Sequence, residues 1–171
     1  MLFSAAMLTA TRQLQPSSRI LARRLPELHS ALYRALSVML PDGLAVSDVL
    51  YSRAGNGPEL YLEVIERHAY TTFVRLSHVI GPERQHNPNA HVRIYHDAAM
   101  AEATAFSPEQ GIRRFAGPDL SVSGLVVRSW RLNRALLKWL DYLIAQGHGS
   151  ETMRPAETGA TFGPIATAPE V

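Results

Sequence analysis

The amino-acid sequence predicts an α+β domain in which an N-terminal and a C-terminal amphipathic helix flank an antiparallel sheet of four to five strands. Two observations support the helices: helical apolar stripes occupy residues 26–40 and 129–146. A third supports the sheet, because residues 46–106 contain several short strand-like runs with no helix between them. Consecutive strands without intervening helices pair antiparallel, which predicts a two-layer fold.

The first helix is predicted over residues 26–40. Pro26 suits the first helical position, and Glu27 complements the positive end of the helix dipole. The apolar residues recur at helical spacing and form one stripe: Leu28, Leu32, Ala35, Leu36 and Met39. The turn residues at 41–43 end this helix.

Strands are predicted where β-branched and aromatic residues alternate between turn signals. The predicted strands are residues 46–53, 59–68, 71–80, 91–96, 99–106 and 112–115. The alternation is weakest in the last of these. The segment 99–106 is rich in alanine and fits a helix or a strand, and its neighbours favour a strand. Residues 81–89 hold two prolines among polar residues, so we expect a loop there.

The last helix is predicted over residues 129–146, with Gly147 as its left-handed C-terminal cap. Its apolar face comprises Leu132, Leu136, Trp139, Leu140, Leu143 and Ile144. A chain of 171 residues is near the size of one domain. We therefore expect a flexible N-terminal arm at 1–21, a single α+β domain at 22–148 and a disordered tail at 149–171.

Composition excludes several classes of site. The chain has no cysteine, which excludes disulfides, thiolate zinc sites, iron–sulfur clusters and cysteine nucleophiles. No apolar run is long enough for a transmembrane helix, so no membrane partner is expected. The apolar start precedes the first basic residue, Arg12, unlike a secretory signal, and a cytoplasmic location is expected.

The charges are distributed in blocks. Residues 1–40 carry a net charge of +4, residues 41–109 of −4, residues 110–138 of +5 and residues 139–171 of −3. Sixteen of the 17 basic residues are arginine. The alternating order favours blocks that pair within the fold and leave a solvated, self-complementary surface.

Three stretches of the chain form a recognisable set. They are Tyr70-Thr71-Thr72-Phe73-Val74, then residues 92–98 with Ala101-Glu102, and then Asn133, Leu136, Trp139-Leu140, Tyr142 and Ala145 to Gly147. In this order they resemble the YqiB-like family of bacterial proteins, a domain of unknown function. The resemblance covers about residues 25–148. It implies a small cytoplasmic bacterial protein and implies no activity.

His96, Asp97 and Glu102 are the catalytic candidates. A histidine oriented by a carboxylate can act as a general base or a metal ligand. Adjacent residues on a strand point to opposite faces, so His96 and Asp97 meet only if the chain turns there. The alternative is a histidine at a strand end beside a turn-capping aspartate.

Histidines at 78, 86, 91 and 96 fall within a short stretch of the chain. A divalent metal could take two or three of them with Asp97. However, His91 and His96 are five residues apart and face opposite ways on one strand, and no zinc-site spacing is present. We therefore expect neither a metal site nor a cofactor, and we interpret these histidines as ordinary surface or partly buried residues.

A basic group around Trp130 is the candidate site for phosphates. It comprises Arg113, Arg114, Arg128, Arg131, Arg134 and Lys138. Basic groups beside an aromatic ring can hold phosphates and stack a base. The alternative interpretation is a solvated helix face.

No motif reaches catalytic specificity, so the sequence favours a non-enzymatic binding or adaptor domain for a protein or an anionic ligand. A homodimer formed through an apolar open face of the sheet is a further expectation. One alternative is a hydrolase acting on a phosphorylated or nucleotide compound with His96 and Asp97. The other is RNA or single-stranded DNA binding through the arginines.

Overall fold

A computed structural model describes residues 3–107 and 121–157, with side chains from residue 17 onward in the first helix. The elements in chain order are α1 (Phe3–Met39), β1 (Val49–Ser52), β2 (Glu59–Arg67), β3 (Thr71–Ile80), β4 (Gln85–Tyr95), β5 (Met100–Ser107), α2 (Val122–Ala145), a 3-10 turn (Ser150–Thr152) and β6 (Met153–Pro155). The described residues contain no helix long and apolar enough to cross a membrane.

The strands form one sheet in the order β5-β4-β3-β2-β1-β6, and each neighbouring pair is antiparallel. The predicted α+β class and the antiparallel sheet are therefore confirmed. The described sheet has six strands rather than four or five, because β6 comes from a segment that carries no strand pattern of its own.

The hydrophobic core lies between the sheet and the two helices. The predicted apolar stripes supply its helical side, with Leu32 and Leu36 from α1 and Leu136 and Leu140 from α2 at most 1% exposed. The inner face of the sheet supplies the other side through alternating residues: Leu60, Leu62, Val64, Val74, Leu76, Ala90, Val92 and Ile94. Both helices thus cover the same face of the sheet, which we call the inner face.

The helix bounds differ from the prediction at their starts. α2 begins at Val122 because the Ser121 side chain caps it, accepting a hydrogen bond from the Gly124 amide at 3.0 Å. Its end matches the prediction: Gly147 has φ +99°, and the amides of Gly147 and His148 donate to the carbonyls of Ile144 and Leu143.

α1 begins at Phe3, within the predicted arm, and Pro26 therefore lies inside the helix instead of at its first position. Packing on α2 supports the added length, because Ser18 is buried and hydrogen-bonds Ser123 while Arg24 lies over the Trp130 ring at 5.9 Å. Tertiary contacts commonly stabilise helices whose own periodicity is weak.

Two further segments are more regular than the sequence indicates. Residues 85–89, predicted as loop, belong to β4, since pairing with β3 holds this polar segment extended. Residues 149–157, predicted as tail, contain the 3-10 turn and β6, which pairs with β1. The predicted strand at 112–115 and tail residues 158–171 lie outside the described residues.

Candidate functional site

The structure does not bring the three catalytic candidates together. The chain does turn at residues 96–99, but the Nε2 atom of His96 hydrogen-bonds the Oγ1 of Thr72 at 2.7 Å instead of meeting Asp97. Glu102 lies opposite Arg93 in the register and accepts a hydrogen bond from the Tyr95 hydroxyl at 2.6 Å. His96 therefore belongs to the inner face of the sheet and Glu102 to the outer face, so they share no reaction centre.

His96 instead borders a cavity of about 280 Å³. The cavity lies between the end of α1, the segment after it, and the adjoining ends of β2, β3 and β4. Its lining comprises Tyr33, Leu36, Ser37, Leu40, Pro41, Asp42, Gly43, Leu44, Arg67, Thr72, Ile94 and His96. An apolar floor with a few polar groups at the rim is typical of a small-molecule site.

The four histidines of the predicted cluster are spread over both faces of the sheet. His78 is buried on the inner face with its ring edge-on to Trp139, whereas His86 contacts Ser77 and Tyr61 on the outer face. Burial, with a smaller contribution from His148, lowers the pKa of His78 to about 4. Within residues 3–107 and 121–157, no three histidine or acidic side chains are grouped to hold a metal ion.

The outer face of the sheet is polar and aromatic. At its centre, Arg75 is 4% exposed, donates from Nε to Oδ1 of Asn89 at 3.1 Å and places Nη1 3.8 Å from Oε2 of Glu63. Around it, the guanidinium of Arg84 lies over Tyr61 and that of Arg93 over Phe73. The homodimer through an apolar open face of the sheet stays a prediction.

Electrostatics on the outer face centre on Arg75. Burial lowers the pKa of Arg75, and Glu63 opposes that shift. The positive charge of Arg75 adds to burial in lowering the pKa values of His86 and His91. A lowered pKa favours the neutral form of both imidazoles, because burial disfavours the charged form and a second positive charge beside Arg75 would be repelled.

The basic residues of the two helices lie side by side in the helical layer. From residue 17 onward, α1 carries four basic residues and one acidic residue, and α2 carries the same numbers. All eight basic side chains are exposed: Arg19, Arg23, Arg24, Arg34, Arg128, Arg131, Arg134 and Lys138. Arg113 and Arg114 lie outside the described residues. The two basic blocks of the sequence thus form one basic surface, which we call the helical basic surface.

Pairing between the charge blocks, which the sequence favoured, stays a prediction, because Arg131 makes a further interaction and residues 108–120 lie outside the described part of the chain. The ion pairs that described residues form with one another lie within the sheet layer: Arg53–Glu59, His68–Glu66 and Arg75–Glu63. Four acidic residues of the middle block lie on strands of the sheet: Glu59, Glu63, Glu66 and Glu102.

Sequence reasoning missed one buried polar cluster. Ser52 is fully buried, and its hydroxyl contacts Nδ1 of His148 at 2.8 Å and the hydroxyl of Thr152 at 2.6 Å. A serine beside a histidine resembles a nucleophile with its base, but substrate cannot reach a side chain with no exposed surface. The cluster instead fastens the segment after α2 to β1, and no motif in the sequence marks it.

The chain matches a family model over most of its length. The model described as "Protein of unknown function (DUF1249)" matches residues 35–149, which span the end of α1, five strands and α2. Comparisons with curated proteins and with solved structures find no match.

Proposed function

The chain belongs to the DUF1249 family of proteins of unknown function, and from that premise we propose that it is a non-enzymatic binding domain that takes up an anionic partner on its helical basic surface. The observation that carries this proposal is the joining of two separate basic blocks of the sequence in one layer. The proposal includes the finer identification as a YqiB-like bacterial protein located in the cytoplasm, and it needs no cofactor.

Charge complementarity supports an anionic partner. From residue 17 onward α1 presents four basic residues against one acidic residue, as does α2, and the stacking of Arg24 on Trp130 joins the two helices in one surface. A surface of one sign raises the local concentration of oppositely charged ligands and speeds their association. Arginine also binds carboxylates and phosphates with two parallel hydrogen bonds, which favours such groups over diffuse counter-ions.

The hydrolase alternative receives less support from the geometry. General acid–base catalysis requires the acid and the base each to lie within hydrogen-bond reach of the proton that it transfers on one bound substrate. His96 and Glu102 lie on opposite faces of the sheet, and Asp97 is exposed in the turn between them. Binding of RNA or single-stranded DNA remains a specific form of the proposal, because phosphates are one of the two anion types that arginine favours.

The test measures binding of fluorescent anionic probes to the full chain by anisotropy. The probes are a single-stranded oligonucleotide of about 20 nucleotides, its duplex and polyglutamate. We expect the logarithm of the affinity to fall linearly with the logarithm of salt concentration. The probe that binds more tightly, oligonucleotide or polyglutamate, assigns the chemistry of the partner.

Two matched double variants locate the site. Arg128→Glu with Arg134→Glu reverses two charges on the helical basic surface, and we expect at least about a tenfold loss of affinity with a shallower salt slope. Arg84→Glu with Arg93→Glu reverses the same charge on the outer face of the sheet and serves as the control. Equal affinity of the helix variant and the unmodified chain would refute the proposal.

A further inference from the structure

We infer that the cavity beside His96 is a binding site for a small organic anion with an apolar body. In this arrangement, Arg67 and His96 hold the anionic group, and the leucine-rich floor holds the apolar part. This site is separate from the helical basic surface, so the inference does not depend on the function proposed above.

The floor of the cavity reaches the hydrophobic core. Leu36 and Ile94 are 1% and 3% exposed and belong to the core cluster, and Leu44 is 9% exposed. Leu40 packs against the same cluster as a partly buried residue. A ligand with an apolar body would therefore cover hydrocarbon surface that continues the protein interior, which favours binding in proportion to the area buried.

The polar groups converge at the side of the cavity formed by the strands. Thr72 is 5% exposed, lies opposite Arg67 in the register of β2 and β3, and hydrogen-bonds the Nε2 of His96 at 2.7 Å. Arg67 and His96 therefore flank one buried hydroxyl. The ring of Tyr33 meets the His96 ring edge-on at 6.5 Å, and these two contacts hold the imidazole at the rim.

Both rim groups retain hydrogen-bonding capacity for a ligand. Within the described part of the chain, the Arg67 guanidinium takes part in no ion pair or hydrogen bond, and the Nδ1 of His96 has no hydrogen-bond partner. An arginine fork matches the two oxygens of a carboxylate or phosphate, and charge-assisted hydrogen bonds of this kind are about twice as strong as neutral ones.

The opposite side of the cavity sets the orientation of the ligand. It is formed by the last turn of α1, which contains no basic residue, and by the exposed Asp42. The C-terminal end of a helix carries a partial negative charge. An anionic group is therefore repelled from this side and directed toward Arg67 and His96, which leaves the apolar body over the floor.

The volume bounds the size of the ligand. About 280 Å³ lies just below the range of roughly 300–1,000 Å³ that is usual for ligand pockets. A single small molecule fits this space, whereas a peptide or an oligonucleotide chain does not. The site therefore differs in ligand class from the helical basic surface.

The test is an NMR titration of the full chain with probes that separate the two halves of the ligand. Straight-chain carboxylates from acetate to octanoate carry both features, inorganic phosphate carries only the charge, and 1-hexanol carries only the apolar body. We expect saturable shifts at the amides of Thr72 and His96, with affinity rising from acetate toward hexanoate. Inorganic phosphate or 1-hexanol binding as tightly as hexanoate would overturn the inference.

Matched variants complete the test. Arg67→Gln removes the guanidinium charge from an exposed side chain, and we expect it to weaken hexanoate binding about tenfold while binding of 1-hexanol is unchanged. Arg93→Gln removes an arginine from the outer face of the same sheet and should leave hexanoate binding unchanged. Unchanged hexanoate affinity in Arg67→Gln, or an absence of saturable shifts at the cavity with every carboxylate, would show that the cavity is not this site.

Discussion

The side-chain Oδ1 of Asn133 on α2 accepts a hydrogen bond from the backbone amide of Ala103 on β5 at 2.7 Å. β5 lies at the edge of the sheet, where unpaired amides otherwise offer a template for another chain. Asn133 is 1% exposed, and its amide nitrogen donates to the Ser129 carbonyl at 2.8 Å. Asn133 thus gives one backbone amide of the edge strand its hydrogen-bond acceptor, while neighbouring residues of α2 fill the core.

Replacing Asn133 by alanine should destabilise the fold. The Ala103 amide would lose its acceptor in a buried place, which costs about 1–3 kcal/mol of unfolding free energy. Urea unfolding of both forms measures this cost. The control is Ser129→Ala, which removes only the weak 3.3 Å contact between its hydroxyl and Asn133 and should change stability by less than about 0.5 kcal/mol. Equal stability of Asn133→Ala and the unmodified chain would contradict this prediction.

The segment after α2 should contribute to stability as part of the domain. A chain ending after His148 loses the Thr152 contact to Ser52, the Ala156 amide bond to Val49 at 2.8 Å and the burial of Met153. Losing these contacts should cost about 3 kcal/mol relative to a chain ending after Glu157. Thermal and urea unfolding of the two truncated chains give the comparison, and identical curves would show that β6 does not pair.

Acid should destabilise the protein through His78. Its pKa is about 4 in the folded protein because burial disfavours the charged form, against 6.5 as its ordinary value. Between these two values the unfolded chain binds more protons, so the His78 contribution is complete above pH 6.5 and is lost as the pH falls toward 4. The lowering of the His78 pKa from 6.5 to about 4 corresponds to about 3 kcal/mol of unfolding free energy.

The variant His78→Gln isolates this contribution. It cannot titrate, so its unfolding free energy should fall by about 3 kcal/mol less than that of the unmodified chain between pH 6.5 and 4. The readout is the slope of the unfolding free energy against pH, and it does not depend on how the variant changes stability at neutral pH. His68→Gln makes the same substitution at an exposed histidine and serves as the control. An unchanged slope in His78→Gln would show that His78 titrates normally.

Arg75 and Glu63 should be energetically coupled. Arg75→Met leaves Glu63 without its counter-charge, and Oε2 of Glu63 is already buried without a hydrogen bond in the described structure. We expect this single change to cost about 2 kcal/mol, and the double variant with Glu63→Met to recover about 1 kcal/mol of it. Unfolding of both single variants and of the double variant closes the cycle, and additive effects would exclude the coupling.

The elements that the sequence predicted well are those with strong internal periodicity. The leucine stripe of α1 and the alternation in β3 mark their buried faces within a few residues, and β3 has the predicted bounds of 71–80. Gly147 likewise signals the end of α2 by its own conformational freedom. Each of these signals lies within a single helix, strand or turn, so residues close in the sequence carry it.

The elements that the sequence missed depend on distant partners. β6 exists because β1 offers a strand edge, and the start of β4 is extended because β3 pairs with it. Likewise, the resemblance pointed to Tyr70–Val74 and residues 92–98 but not to the cavity between them and α1. His96 is a candidate from the sequence and Thr72 lies in a stretch that carries the resemblance, whereas their neighbour Arg67 carries no signal.

The sequence by itself determined the fold class, the core faces of both helices and the absence of cysteine chemistry, because these follow from composition and local periodicity. Only the tertiary structure decided which charges share a surface and which side chains share a cavity. It placed the two basic blocks in one layer, separated His96 from Glu102 and set His96 beside Arg67 and Thr72. The physical reason is that strand pairing and helix packing join residues far apart in the chain, and no short-range pattern encodes those distances.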